Sequence, residues 1–124
     1  MPNDTSSDAA GEAAGVRTFL IADVRGYTRY SDEHGDEAAS ALARRFAAIA
    51  SDAVAARGGE VIELRGDEAL CVFASARSAV RGAVELQRRM RERVEGEPAL
   101  PLAVGVGLDA GEAVPTAGAT AAAR

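Results

Sequence analysis

Two segments of the chain carry apolar residues at the spacing of an amphipathic helix. The first covers residues 36–57, with Asp36 as a suitable N-cap and Gly58 and Gly59 as a C-terminal stop. Its apolar stripe consists of Ala39, Leu42, Phe46, Ile49, Ala53 and Val54. The second covers residues 78–95, where the stripe consists of Ala79, Ala83, Leu86, Met90 and Val94. The pattern therefore predicts two long helices, each with one buried side.

Short apolar runs between and around these helices predict strands. Residues 18–24, 69–74 and 102–108 are largely apolar, and residues 60–65 alternate between polar and apolar. Only Gly66, Asp67 and Glu68 separate the second strand from the third, so these two form a β-hairpin with its turn near Asp67. Residues 27–34 are polar and predict one helical turn. The order β-α-β-β-α-β predicts an α+β, ferredoxin-like, palm-type core, an antiparallel sheet with its helices on one face.

Domain boundaries follow from composition. Residues 1–16 are polar, small and without period, which predicts a disordered tail, and residues 116–124 form a low-complexity tail. One domain over residues 17–115 remains. The N-terminal segment has no apolar stretch of a secretion signal, no run is long enough to cross a bilayer, and a single cysteine, Cys71, excludes an internal disulfide. We therefore expect a cytoplasmic protein that is independent of membranes.

Charge and composition narrow the function classes further. The 124 residues carry 19 acidic and 14 basic side chains, a net charge of −5, and all the basic ones are arginine. A negative chain without a basic face argues against nucleic-acid binding, which requires neutralisation of phosphates. Aromatic residues make up only 4%, so Ala, Val, Leu and Ile must fill the core.

Two carboxylates occupy positions that suggest chemistry. Asp23 lies in an otherwise apolar strand, and Asp67 lies at the hairpin turn. The first and third strands are neighbours in this order of elements, so both aspartates fall at one edge of the sheet. Taken singly, Asp23 could cap the turn after its strand and Asp67 could be an ordinary turn residue. Together they favour a Mg²⁺ site, because a cation relieves the repulsion between facing carboxylates.

The turn over residues 24–28 could present backbone N–H groups to phosphates. The remaining polar and reactive residues are expected to have structural roles. His34, the only histidine, lies in a polar segment and is expected in solvent, whereas Cys71 is expected in the core. The arginines between positions 88 and 93 alternate with glutamates, which is typical of a solvated helix face.

Three sequence blocks together resemble the catalytic domain of class III adenylate/guanylate cyclases. Residues 19–28 (FLIADVRGYT) are similar to the family's first strand and phosphate turn. Residues 59–73 (GEVIELRGDEALCVF) are similar to its metal-bearing hairpin. Residues 104–114 (VGVGLDAGEAV) are similar to the strand after its second long helix. The resemblance covers about residues 18–114.

The resemblance implies a signalling lyase that cyclises ATP or GTP with release of pyrophosphate, in a homodimer with nucleotide sites at the subunit interface. It implies that Asp23 and Asp67 hold two Mg²⁺ (or Mn²⁺) ions, one activating the ribose 3′-oxygen and one steadying the triphosphate. Gly26, Tyr27 and Thr28 would line the phosphate site. Glu63 stands where adenylate-specific members carry a lysine and guanylate-specific members a glutamate.

One departure from the family concerns the transition state. The family continues with a strand and a helix whose Asn orients the ribose and whose Arg stabilises the transferring phosphate. The only Asn of this chain is Asn3, and Arg124 follows a low-complexity segment. Such groups commonly contribute about 100-fold or more in rate. We therefore expect a C-terminally incomplete form with little or no cyclase activity.

Three other interpretations remain open at this point. Residues 65–68 (RGDE) and the acidic stretch 32–37 resemble diguanylate cyclases, although Ala69 stands where that signature requires Phe and Arg65 replaces its first Gly. The chain could instead be a non-catalytic cyclase-like module that binds a nucleotide or pairs with a complete cyclase domain. The third of these interpretations is a ferredoxin-like domain without a ligand.

Overall fold

The computed structural model describes residues 15–96, 100–116 and 119–122. Its five strands are β1 (Val16–Val24), β2 (Glu60–Arg65), β3 (Glu68–Phe73), β4 (Val104–Thr116) and β5 (Ala119–Ala122). Its three helices are α1 (Tyr27–His34), α2 (Asp36–Ala56) and α3 (Ala76–Glu95).

The strands form one sheet in the order β2-β3-β1-β4-β5. Strand β1 lies between β3 and β4 and is antiparallel to both, and β2 and β3 form the hairpin at one edge. This arrangement confirms the predicted ferredoxin-like order, including β1 and β3 as central neighbours. Strand β4 extends well beyond the predicted residues 102–108, and its last residues pair with β5, which the sequence did not predict.

The main core lies between the helices and one face of the sheet. Leu20, Ala22 and Val24 of β1 point to this side, where they pack with residues of α2 and α3 such as Phe46 and Leu86. The whole predicted stripe of α2 is buried, as expected from its spacing. On α3 the prediction was wrong for Val94, which is 43% exposed because the last turn of the helix extends past the core.

Cys71 lies in this core, as predicted. Its side chain is buried on β3, and burial raises the pKa of the Cys71 thiol to about 12. A thiol held neutral in this way behaves as a small apolar side chain.

The ring of Phe73 fixes how closely the helices approach the hairpin. Gly59, just before β2, and Gly82, in the middle of α3, both lie against this ring, and a Cβ atom at either position would overlap it. The two glycines therefore leave the space that the largest side chain of β3 needs.

The opposite side of the sheet, named the open face below, is not covered by the helices. Phe19 and Val72 pack together there, with Ile62 and Leu70 against them. A β-bulge between Val61 and Glu63 places Ile62 on this side. The neighbouring Ile21 is 46% exposed, so the open face carries apolar surface at its centre.

The helix ends differ in detail from the sequence prediction. Residues 27–34 form a complete eight-residue helix rather than a single turn. Asp36 is the first residue of α2 and not its N-cap, because Gly35 takes that position with a φ of 91°. Helix α3 begins two residues earlier than predicted, where the Ser75 hydroxyl accepts a hydrogen bond of 3.1 Å from the Ser78 N–H.

The predicted terminal tails lie largely outside the described residues. Of residues 1–16, only 15 and 16 are described, and Val16 already belongs to β1. Of residues 116–124, the described ones are Thr116 at the end of β4 and β5. Within the described ranges, every helix is too short or too polar to cross a bilayer.

Candidate functional site

Asp23 is the second-last residue of β1, and its side chain lies on the open face. Residues 20, 22 and 24 of the strand point into the core, so the alternation of a strand turns Asp23 to the opposite side. Its register neighbours are Glu68 on β3 and Gly105 on β4. The Asp23 side chain is 41% exposed, so its charged carboxylate remains hydrated and avoids the desolvation cost of full burial.

Asp67 lies in the two-residue turn between β2 and β3. The turn is possible because Gly66 adopts a left-handed conformation, with a φ of 59°. The Asp67 carbonyl oxygen accepts a hydrogen bond of 3.0 Å from the N–H of Val24. This bond fastens the turn to the end of β1, directly beside Asp23. The structure thus brings the two predicted aspartates to one edge of the sheet, named the site edge below.

The donor set at the site edge suits a small hard cation. Mg²⁺ is commonly bound by one or two carboxylates, with water and phosphate oxygens completing the octahedron. Asp23 and Asp67 supply two such carboxylates. Among the described residues, no group of three or more His, Cys, Asp or Glu is placed to enclose a metal. The pair therefore fits a cation shared with a phosphate ligand rather than a closed structural metal site.

The turn that follows β1 has the geometry of a helix entrance. Gly26 has a φ of 74°, and α1 begins at Tyr27 directly after it. The Tyr27 hydroxyl donates a hydrogen bond of 2.9 Å to the Ala39 carbonyl oxygen, so the side chain ties α1 to α2. Of the three predicted phosphate-site residues, Tyr27 can therefore contribute only its backbone, whereas Gly26 and Thr28 are exposed.

Glu63 lies away from the two aspartates. It is opposite Leu70 on β3, which in turn is opposite Ile21 on β1, so two strand spacings and two residues separate it from Asp23. Strand geometry then places the two Cα atoms roughly 12 Å apart. The Glu63 carboxylate pairs with Arg65 at 2.6 Å and is 41% exposed. It cannot contact the same atoms of a ligand as Asp23.

Sequence reasoning missed Arg25. Its Nε lies 3.8 Å from Oδ1 of Asp23, and its guanidinium lies over Gly105, where a Cβ atom would overlap it. A glycine inside a strand can mark such a close approach, and this signal was available at Gly105.

Sequence reasoning also missed Glu85, in the helix layer. Its side chain is only 4% exposed, and it contacts three arginines, namely Arg57 at 3.1 Å, Arg88 at 2.5 Å and Arg89 at 2.6 Å. These hydrogen bonds, led by those from Arg89 and Arg57, lower the pKa of Glu85 to about 2. Arg88 and Arg89 are therefore partners of a buried charge and not only part of a solvated face.

His34 is solvent-exposed, as predicted. It ends α1, and its ring lies 4.4 Å from that of Tyr30 in a tilted arrangement. The histidine and the two aspartates thus belong to separate parts of the surface.

The described residues form an α+β fold of the palm type, and solved structures show which domains share this fold. The chain is similar to a bacterial light-regulated adenylyl cyclase at a TM-score of 0.71 and 19% identity, over 87% of this chain and 62% of that one. It is similar to the guanylyl cyclase Cya2 at 0.68 and 25% identity, over 87% and 62%. It is similar to the non-canonical dimeric guanylyl cyclase domain of the RhoGC fusion protein from the aquatic fungus Blastocladiella emersonii at a TM-score of 0.72 and 16% identity, over 89% and 67%.

The described residues thus adopt the fold of adenylyl and guanylyl cyclase catalytic domains, and the resemblance carried by the three sequence blocks is confirmed in its fold. The chain spans about 62% of the length of two of these structures. No protein-family model and no curated protein sequence matches the chain.

Proposed function

We propose that the chain is a purine nucleotide cyclase module that binds ATP or GTP with Mg²⁺ or Mn²⁺ at the site edge. One observation carries the proposal, namely the hydrogen bond of 3.0 Å between Val24 and Asp67, which holds the second aspartate beside Asp23. A carboxylate pair at this edge of a cyclase fold suits a cation that also contacts a triphosphate.

The residues of the site divide the binding tasks between them. Asp23 and Asp67 hold the cation. Gly26 and the N–H groups at the start of α1 offer donors to phosphate oxygens, because the first N–H groups of a helix have no partner within it. A cation held by the two aspartates would supply charge neutralisation for attack of the ribose 3′-oxygen on the α-phosphorus, with pyrophosphate as the leaving group.

The open face supports pairing between two copies of the chain. It carries the half-exposed Ile21, and none of the three described helices covers it. We propose that two open faces approach each other, so that one subunit holds the phosphates and the other presents Glu63 to the purine. One of the similar structures is described as a non-canonical dimer, and another of the same domain as monomeric.

We propose that this chain turns over slowly. The sequence holds one asparagine, Asn3, far from the three blocks that resemble a cyclase. Loss of one positioned hydrogen-bond donor in a transition state commonly costs about 100-fold or more in rate. We therefore expect the chain to bind a nucleotide but to convert it to product only slowly.

Product analysis tests the reaction class. The purified chain is incubated with ATP or GTP and Mn²⁺, and the products are separated by chromatography. We expect traces of a cyclic mononucleotide and pyrophosphate, lost in Asp23→Asn and retained in Asp52→Asn, an exposed carboxylate on α2. A cyclic dinucleotide from GTP would instead identify a diguanylate cyclase, and product that persists in Asp23→Asn would remove the proposed site.

A further inference from the structure

Arg25 occupies a defined position at the site edge. Its backbone N–H donates a hydrogen bond of 2.8 Å to the Ala103 carbonyl oxygen, which fastens the residue to the start of β4. Its side chain then folds back along the open face to Asp23, with 3.8 Å between Nε and Oδ1. The guanidinium is therefore the cationic group that faces one of the two proposed metal ligands.

Gly105 makes this position possible. It is the register neighbour of Asp23 on β4, and the guanidinium of Arg25 fills the space that a side chain at 105 would take. Gly107, the next residue on the same side of the strand, has no atom within 4 Å of a Cβ position. The guanidinium thus lies beside open space on the open face, within reach of a ligand there.

The ion pair is weak enough to be exchanged. The Arg25 side chain is 69% exposed and that of Asp23 is 41% exposed. Exposed ion pairs contribute little stability, because water screens the charges and the long side chain loses freedom. A divalent cation competes well for the same carboxylate, and a guanidinium that leaves it can donate two parallel hydrogen bonds to a phosphate.

We propose that Arg25 is an exchangeable counter-ion, which neutralises Asp23 in the free protein and moves to a phosphate oxygen when a cation and a triphosphate bind. The inference rests on the proposed function and adds to it a positioning residue with two alternating partners. This exchange couples binding of the cation to binding of the triphosphate. The triphosphate draws the guanidinium of Arg25 away from Asp23, and the Asp23 carboxylate then becomes available to the cation.

Two probes with opposite expected results test this exchange in the folded chain. The first is Mn²⁺ alone, measured by electron paramagnetic resonance of the free ion. Arg25→Gln removes the positive charge that competes for Asp23, so we expect it to tighten Mn²⁺ binding. The expected change is up to about 5-fold, which corresponds to the free energy that an exposed ion pair contributes. The second is inorganic triphosphate alone in the presence of EDTA, measured by calorimetry. Here the same variant is expected to weaken binding by a similar factor.

Matched variants separate the exchange from other effects. Arg29→Gln removes one charge from the same segment, where Arg29 pairs with Glu33 at 3.4 Å, and is expected to change neither affinity. Gly105→Ala keeps the charge but displaces the guanidinium, and is expected to shift both affinities in the directions of Arg25→Gln. Circular dichroism checks that each variant is folded.

The outcomes distinguish the inference from the proposed function. If Mn²⁺ binding is lost in Asp23→Asn but Arg25→Gln behaves like Arg29→Gln, the exchange is wrong and the metal site stands. If Arg25→Gln weakens both probes, Arg25 has an ordinary structural role and the exchange is also wrong. If the wild-type chain binds no Mn²⁺, the proposed metal site fails, and the exchange fails with it.

Discussion

Glu85 carries a negative charge that is almost fully enclosed, with 3% of the residue exposed. Arg57 reaches it from the end of α2, and Arg88 and Arg89 reach it from within α3. An enclosed carboxylate needs such donors, because burial without them strongly disfavours the charged form. The cluster therefore fastens the end of α2 to α3.

We predict a distinctive pH dependence for Glu85→Gln. The pKa of Glu85 is lowered to about 2 from 4.5, so the carboxylate adds stability that is complete above the higher value and disappears as the pH falls toward the lower one. Thermal unfolding midpoints of wild type and Glu85→Gln should differ at neutral pH and converge between about pH 4.5 and 2. The exposed Glu95→Gln should follow wild type throughout. A difference in unfolding midpoint between wild type and Glu85→Gln that stays constant across the acid range would contradict this explanation.

Single residues were the least predictable level of this molecule. Asp23 could be selected because it interrupts an apolar strand and Asp67 because it lies at the hairpin turn, and neighbouring strands bring them together. Glu85 could not, because the sequence pattern groups it with the arginines and glutamates of a solvated helix face, and nothing in the spacing marks burial. Its enclosure depends on Arg57, which lies 28 residues earlier in the chain.

At the level of elements, Phe73 decides the packing between the hairpin and α3. Alanine is favoured over glycine inside a helix by about 1 kcal/mol, so propensity alone predicts that Gly82→Ala stabilises the protein. The ring of Phe73, however, occupies the position of the new Cβ atom. Overpacking of a core costs about 1–3 kcal/mol, which outweighs the gain.

We therefore predict that Gly82→Ala lowers the free energy of unfolding by up to about 2 kcal/mol in urea titrations, the overpacking cost less the propensity gain. Gly107→Ala is the matched control, because it lies in a strand with no atom within 4 Å of the Cβ position. That variant should be neutral or gain about 0.5–1 kcal/mol. Stabilisation by both substitutions would show that the Phe73 ring can move aside at low cost.

The sequence predicted the elements well wherever a periodic pattern was long. The stripe of α2 and the β2–β3 hairpin are examples, since spacing and turn residues determine them locally. The extension of β4 and its pairing with β5 escaped prediction, because alanine, threonine and glycine residues carry no period and a partner strand decides their conformation.

At the level of the whole molecule, two half-exposed apolar residues offer different surfaces for association. Ile21 is 46% exposed on the open face, and Val84 is 62% exposed on α3. The proposed pairing uses the open face, so a charge at Ile21 should disturb it and a charge at Val84 should not.

We predict that Ile21→Lys shifts the chain toward the monomer in sedimentation velocity experiments, by at least 10-fold in the dimer dissociation constant, since a buried unpaired charge costs several kcal/mol. Val84→Lys should leave the distribution unchanged. Dissociation by Val84→Lys but not Ile21→Lys would place the interface on the helix side.

The central claim is that Asp23 and Asp67 hold a cation for a purine nucleotide, and calorimetric titration of ATP and GTP in the presence of Mn²⁺ tests it most directly. The wild-type chain should bind one of them, Asp23→Asn and Asp67→Asn should each weaken binding at least 10-fold, and the exposed Asp52→Asn on α2 should bind like wild type. The two-carboxylate donor set implies this loss, since removal of either charge leaves one ligand for the cation. Binding that both substitutions leave unchanged, or no binding heat from either nucleotide, would contradict the account.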